Sequence, residues 1–346
     1  MAEEAKRQPV VDMSSRKIVR IGIVVADLVK TAKRYSDIFG AGPWMFYDLT
    51  ATDIMLRGKS LENVDVGVRT AVANLTGLEI ELIQPLYGPG AHMEFFRKHG
   101  EGIHHISFGT VDNYNAIISG LQNRGISVEM KGTLEGAVEF SYLDTIKELG
   151  TVFEIVKPQA LNVSTEVIPW GIYSPPASSL WKMEEKRINQ IGLVVDDADG
   201  MAKRWEELFG IGPWRTNMSS IPRRDVDLTK PIKPSKAVLH GIPMISMDLH
   251  LKISVAYCGD MQIELIEPLK GPGSHWDFLK IHGNGVHHLS FGRVEDHDQC
   301  IIALQQQGIA IDYAGPAGRG SRFSYMATQK DLGTIYELVY APPEQN

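Results

Sequence analysis

The hydrophobic pattern repeats one signal: a short apolar run, then apolar residues at helical spacing. In "RIGIVV" (20–25), Ile and Val fill four of six positions, which predicts a buried strand. Asp27 follows where an N-cap belongs. Leu28, Ala32, Tyr35 and Phe39 then recur every three or four residues, and Gly40 suits the position just past a helix end. The cycle restarts at "HHISFG" (104–109): Asp112 or Asn113 as cap, Ile117, Ile118 and Leu121 on one face, and a stop at Gly125. Several β-rich segments follow each helix. The prediction is a βαβββ unit, formed twice before residue 158.

The whole pattern then occurs again. "RIGIVVADLVKTAKRYSDIFGAGPW" (20–44) aligns with "QIGLVVDDADGMAKRWEELFGIGPW" (190–214), an offset of 170. "HGEGIHHISFG" (99–109) aligns with "HGNGVHHLSFG" (282–292), and "LGTVFEIV" (149–156) with "LGTIYELV" (332–339), both at 183. The change of offset places a 13-residue insertion in the second copy, between Trp214 and Met261. Two copies of this size are tandem domains, not a solenoid. The expected organisation is an N-terminal arm (1–15), a first domain (16–158), a linker (159–186) and a second domain (187–342). The linker is rich in Ser, Pro and Gly, but Trp170, Tyr173 and Trp181 give it surface to pack. The fold class is α+β: four βαβββ units with curved, mostly antiparallel sheets.

Composition narrows the function. Of 346 residues, 43% are apolar and 22% charged, as in soluble globular proteins. The formal charge of −7 comes without a basic block, which argues against nucleic acid or an anionic membrane as partner. Cys258 and Cys300 lack metal-type spacing and read as small buried hydrophobes. No apolar leader and no run of about 18 apolar residues stands out, so a soluble cytoplasmic protein is expected.

Polar residues interrupt the predicted strands of the second copy. Gln190 opens "QIGLVV", Glu264 lies inside "MQIELIEP", His288 precedes "LSFG" and Glu337 lies inside "TIYELVY". A carboxylate amid apolar neighbours needs a cation, donors or water. One such residue is unremarkable; one His, two Glu and one Gln on four separate strands is a set.

In this order and spacing, "IGIVVADL", "IELIQPL", "GIHHISFG" and "GTVFEIV" resemble the vicinal oxygen chelate superfamily, in particular methylmalonyl-CoA epimerase and glyoxalase I. The resemblance covers both copies. It implies cup-shaped sheets around one divalent metal (Zn, Co, Ni, Mn or Fe), held by one residue from each of four strands. Carried onto the second copy, those ligands are Gln190, Glu264, His288 and Glu337, with Glu337 also the candidate catalytic base. The epimerases have His at the first position. His287, next to His288, is expected on the opposite face as a structural or supporting residue. The first copy has Arg20, Glu81, His105 and Glu154 instead. A guanidinium cannot ligate a metal. Pointing inward, Arg20 would pair with both glutamates in place of a dication; pointing outward, it would leave three ligands.

The resemblance implies an isomerase, epimerase or lyase acting through a metal-stabilised enolate on a CoA thioester or an aromatic or keto compound. Alternatives are an Fe(II)-dependent ring-cleaving or keto-acid dioxygenase, which would need the absent first-strand His, and a binding or sequestering protein. The small-molecule substrate is expected to be anionic if the segment that carries the insertion (215–250) rims the site, because Arg223, Arg224, Lys230, Lys233 and Lys236 give it a basic character. His240 and His250 are candidates for a second acid/base. The tandem copies would pair within a monomer or in a homodimer.

Overall fold

The computed structural model describes residues 8–75, 77–158, 168–175, 187–221, 237–244, 248–318 and 320–342. The first half contains β1 (Arg20–Val24), α1 (Leu28–Phe39), β2 (Trp44–Leu56), β3 (Lys59–Ser60), β4 (Val66–Leu75), β5 (Leu78–Tyr87), α2 (Ala91–His99), β6 (Gly102–Thr110), α3 (Tyr114–Gln122), β7 (Val128–Leu134), β8 (Val138–Leu143), α4 (Ile146–Leu149), β9 (Val152–Val156) and β10 (Gly171–Tyr173). The second contains β11 (Gln190–Val194), α5 (Ala198–Phe209), β12 (Arg215–Ile221), β13 (Val238–Leu239), β14 (Ile242–Pro243), β15 (Leu249–Cys258), β16 (Met261–Lys270), α6 (Ser274–His282), β17 (Gly285–Arg293), α7 (His297–Gln306), β18 (Ile311–Gly318), β19 (Ser321–Met326), α8 (Gln329–Leu332) and β20 (Ile335–Tyr340). The α+β class and the four βαβββ units expected from the sequence are observed. No helix among the described residues is long and apolar enough to cross a membrane.

The caps expected for α1 form, whereas α3 starts after Asn113 without a side-chain cap bond and ends at Gln122, before Gly125. Asp27 Oδ1 accepts from the Lys30 amide, and Gly40, left-handed at φ 69°, closes α1 by donating to Ser36 O. Asp197 and Gly210 do the same for α5.

Each half forms one ten-stranded sheet, in the order β10-β2-β4-β5-β1-β6-β9-β8-β7, with β3 paired to β2 beside this path, and β12-β15-β16-β11-β17-β20-β19-β18-β13-β14. Most pairings are antiparallel. The first and last strands of each unit run parallel: β1 with β5, β6 with β9, β11 with β16 and β17 with β20. In the first half the long β2 also reaches β7, pairing Ala51 with Leu134 and Leu56 with Met130, and this closes the sheet into a barrel. In the second half β13, which belongs to the insertion, takes the free flank of β18.

The halves meet through a two-fold arrangement of aromatic rings. Phe39 of α1 packs on Phe291 and Tyr336 at 5.4 and 4.8 Å, while Phe209 of α5 packs on Phe108 and Phe153 at 6.0 and 4.9 Å. The charged rim repeats the relation: Arg34 to Asp331 at 2.9 Å, Arg204 to Glu148 at 2.7 Å. One continuous apolar core therefore runs through both domains. Residues of the predicted arm join it. Val11 and Met13 donate to the last carbonyls of α5, and Met13 is fully buried. In the predicted linker, Trp170 packs at a tilt against Phe46 and under Arg69, and β10 pairs with β2; Trp181 lies outside the described residues.

Candidate metal centre

Sheet register brings the four strand residues of the second domain to one face. Gly192 of β11 is directly opposite Glu264 of β16 and His288 of β17. Two residues away, Gln190 is opposite Ser290, which is opposite Glu337 of β20. Paired residues share a face, and so do residues two apart on one strand. Gln190, Glu264, His288 and Glu337 thus line the inner face of four adjacent strands, while Ile191, Ile263, Leu289 and Leu338 point into the core beneath.

His288 is fully buried, and its Nε2 lies 3.7 Å from Glu264 Oε2 and 3.7 Å from Glu337 Oε2. That nitrogen makes no hydrogen bond. Burial holds the imidazole neutral, well below its usual titration range, with a further push from His275. Burial raises the Glu264 carboxyl to about 8, with added repulsion from Glu337, and raises Glu337 to about 7. Two desolvated carboxyls and an orphaned neutral imidazole nitrogen converge on one small volume. A dication there would satisfy all three at once. Gln190 completes the ring: its Nε2 donates to Gln262 Oε1 at 2.8 Å, which leaves its amide oxygen as the remaining donor atom. The residues fit a divalent metal.

His287 departs from expectation. Alternation along a strand puts neighbours on opposite faces, yet Nδ1 of His287 is 3.1 Å from Nδ1 of His288. The cause is a β-bulge: Gly192 pairs with His288 but Leu193 pairs with Val286, so His287 is the extra residue. Its Nε2 meets Ser274 Oγ at 2.9 Å. A lone pair on His288 Nε2 requires its proton on Nδ1, donated to His287, which in turn donates to Ser274. One proton arrangement satisfies the row and fixes the donor nitrogen inward. His275 of α6 completes a buried triad with His287 and His288, and its Nε2 is 3.2 Å from the Tyr325 hydroxyl. The strand pattern carries no signal for His275; the repeat of "GPGSH" and "GPGAH" in the two copies does.

The first domain repeats this frame with a guanidinium inside it. His105 Nε2 is 3.9 Å from Glu81 Oε2 and 3.9 Å from Glu154 Oε2. Arg20 turns inward: Nη1 lies 3.5 Å from Glu81 and 3.9 Å from Glu154, and Nε bonds Glu79. Burial works against its charge, but the three carboxylates outweigh that and hold it protonated even more firmly.

The candidates for a second acid/base are engaged elsewhere. His240 sits between Asp312 and Asp277 at 3.3 and 3.2 Å, and His250 is 3.1 Å from Asp248. Arg223, Arg224, Lys230, Lys233 and Lys236 lie outside the described residues.

The sequence pattern of the Glyoxalase/Bleomycin resistance protein/Dioxygenase superfamily matches residues 20–142 and again 189–325. The chain belongs to this superfamily. One match falls in each half of the chain, as the sequence resemblance implied. Among solved structures, a mutant 4-hydroxymandelate synthase from Streptomyces coelicolor is similar over 96% of this chain and 94% of its own, with TM-score 0.58 and 14% identity. A Mn(II)-bound glyoxalase from Novosphingobium aromaticivorans covers 94% of this chain and 83% of its own, with TM-score 0.46 and 14% identity. Methylmalonyl-CoA epimerase from Mycobacterium tuberculosis covers 45% of this chain and 87% of its own, with TM-score 0.30 and 21% identity. No curated protein matches the chain.

Proposed function

We propose that the second domain is a divalent-metal-dependent enzyme that abstracts a proton next to a carbonyl, as an isomerase, epimerase or lyase acting through an enolate. The supporting observation is the convergence of Glu264 and Glu337 on the hydrogen-bond-free Nε2 of His288, 3.7 Å from each. Gln190, Glu264, His288 and Glu337 would hold the metal, with Zn, Co, Ni, Mn and Fe all compatible with mixed N/O donors. When bound, the ion supplies Lewis-acid stabilisation of charge developing on a substrate oxygen.

The protein's own groups do the rest. Glu337 is the proton acceptor, a buried carboxyl on the inner face 3.7 Å from His288 Nε2. The Tyr325 hydroxyl, kept protonated by burial and by Glu337, remains a donor at the inner face. His287 and Ser274 hold the His288 ring in place. The substrate class is a CoA thioester or an aromatic or keto compound, with an anionic group suited to the basic insertion.

A second reading is an Fe(II)-dependent dioxygenase, favoured by the arrangement of four βαβββ units in one chain with one complete donor set. Gln190 at the first position weighs against it, because such iron sites use two His and one carboxylate. A metal-free binding protein is the third reading, and the complete donor set weighs against that.

Metal content of protein purified without chelator is the test, alongside Glu337→Ala and His105→Ala. About one divalent ion per chain, lost with Glu337→Ala and kept with His105→Ala, supports the site. Solvent deuterium exchange into thioesters and ketones then separates proton abstraction from oxygen consumption. Protein that takes up no metal on reconstitution overturns the proposal.

A further inference from the structure

The closed first barrel contains a cavity of about 290 Å³. Its walls are apolar, including Leu49, Val68, Ile83, Met130 and Phe140, and its polar lining includes Arg20, Glu81 and Glu154. Three lining atoms, Thr70 Oγ1, His92 Nε2 and Glu154 Oε2, are buried and make no hydrogen bond. Each such atom is costly to leave unmatched. Apolar walls hold water poorly, so a ligand that carries its own polar group is the better partner.

We propose that this cavity binds an uncharged, hydroxyl-bearing ring compound about the size of two fused rings. Size follows from volume: an apolar cavity of about 150 Å³ takes one benzene, and this one is nearly twice that. Charge follows from the polar residues. Arg20 already faces Glu79, Glu81 and Glu154, so no positive charge is spare and an anion is repelled. A cation would meet the guanidinium and give up its hydration against hydrocarbon. A hydroxyl fits the loose ends: it donates to Glu154 Oε2 and accepts from Thr70 or His92. With a guanidinium at the first-strand position, this half thus has a largely apolar pocket with three buried polar atoms that lack hydrogen bonds. The inference concerns the first domain alone and stands apart from the reaction proposed for the second.

The test is calorimetric titration of the full chain with 1-naphthol, beside 2-naphthoate and 1-naphthylmethylammonium as charged probes of similar size. The expected result is one saturable site for 1-naphthol, with both charged probes about tenfold weaker or worse. Ala51→Phe fills the cavity from β2 and should weaken binding by about tenfold or more, whereas Glu337→Ala in the other domain leaves it unchanged. Thr70→Val removes one hydroxyl at constant volume and should weaken binding about threefold to tenfold. If Ala51→Phe fails to fold by circular dichroism, Thr70→Val decides alone. No saturable binding, binding unaffected by the cavity substitutions, or tighter binding of a charged probe overturns the proposal.

Discussion

Gly192 lies beneath the imidazole of His288, so close that a Cβ on the glycine would stand 1.9 Å from the ring's Cε1. Gly22 and His105 repeat the relation at 2.1 Å. The glycine in each "IG" pair is therefore the floor of the histidine pocket. Gly192→Ala must push the ring off its position, which costs about 1–3 kcal/mol of overpacking. The variant should melt lower and lose metal from the second domain. Gly22→Ala should melt lower by a similar amount with metal content unchanged, and mass spectrometry beside thermal melts separates the two.

Above pH ~6.5, where the buried histidines are neutral in both folded and unfolded chains, metal-free protein should lose stability as pH rises. Folding raises the Glu264 and Glu337 carboxyls to about 8 and about 7, so between pH ~4.5 and 8 these two groups bind more protons in the folded state than in the unfolded state. Stability from these groups is fully present below the unfolded value and is lost through pH 7 to 8. Melting temperatures of chelator-treated protein should fall across that window, and Glu264→Gln should flatten the fall. Excess divalent ion should reverse the trend, because metal and protons compete for the same carboxyls.

Arg20→Gln gives the first domain the donor types of the second. Without metal, the change leaves Glu81 and Glu154 facing each other and His105, and should destabilise by about 1–3 kcal/mol, less than a fully buried pair because Arg20 is partly exposed. With excess divalent ion, bound metal should rise from about one to about two per chain, and equilibrium dialysis reads it directly.

His287→Phe keeps a ring in the bulge but leaves Nδ1 of His288 without its partner. Metal affinity should fall about 10- to 100-fold, the usual worth of a group that orients a ligand. Ser274→Ala, one step further out, should have a smaller effect in the same direction. Competition with a metal-sensitive dye measures both.

Phe39→Ala removes a ring that contacts Phe291 and Tyr336 of the other domain, at a cost of about 3–5 kcal/mol. Because one core crosses the boundary, both domains should unfold in a single transition, and the variant should shift the whole of it. Two separated calorimetric peaks in the unmodified protein would contradict that coupling.

Much of this architecture is legible in the chain because each signal is local or repeated. Asp27, the apolar spacing to Phe39, and Gly40 define α1 without tertiary help, and the two offsets count the domains. Inward-facing Glu264 and Glu337 are legible because a carboxylate between two apolar residues has no cheap alternative. Other features are non-local. The bulge that turns His287 toward His288 depends on pairing with β11, which alternation along β17 alone does not reveal. His275 stands on a helix, outside a search confined to strands. Closure of the first barrel needs β2 to meet β7 about 80 residues away, and nothing in either segment announces the partner.

The shared core has a consequence for how such a chain changes over time. In a symmetric pair of separate subunits, one gene writes both active sites, so a substitution that abolishes metal binding in one abolishes it in both. Joining the copies on one chain, locked by Phe39 and Phe209, separates the two inheritances. Arginine at position 20 then has no effect on glutamine at position 190, and one half is free to take up new chemistry while the other keeps the old.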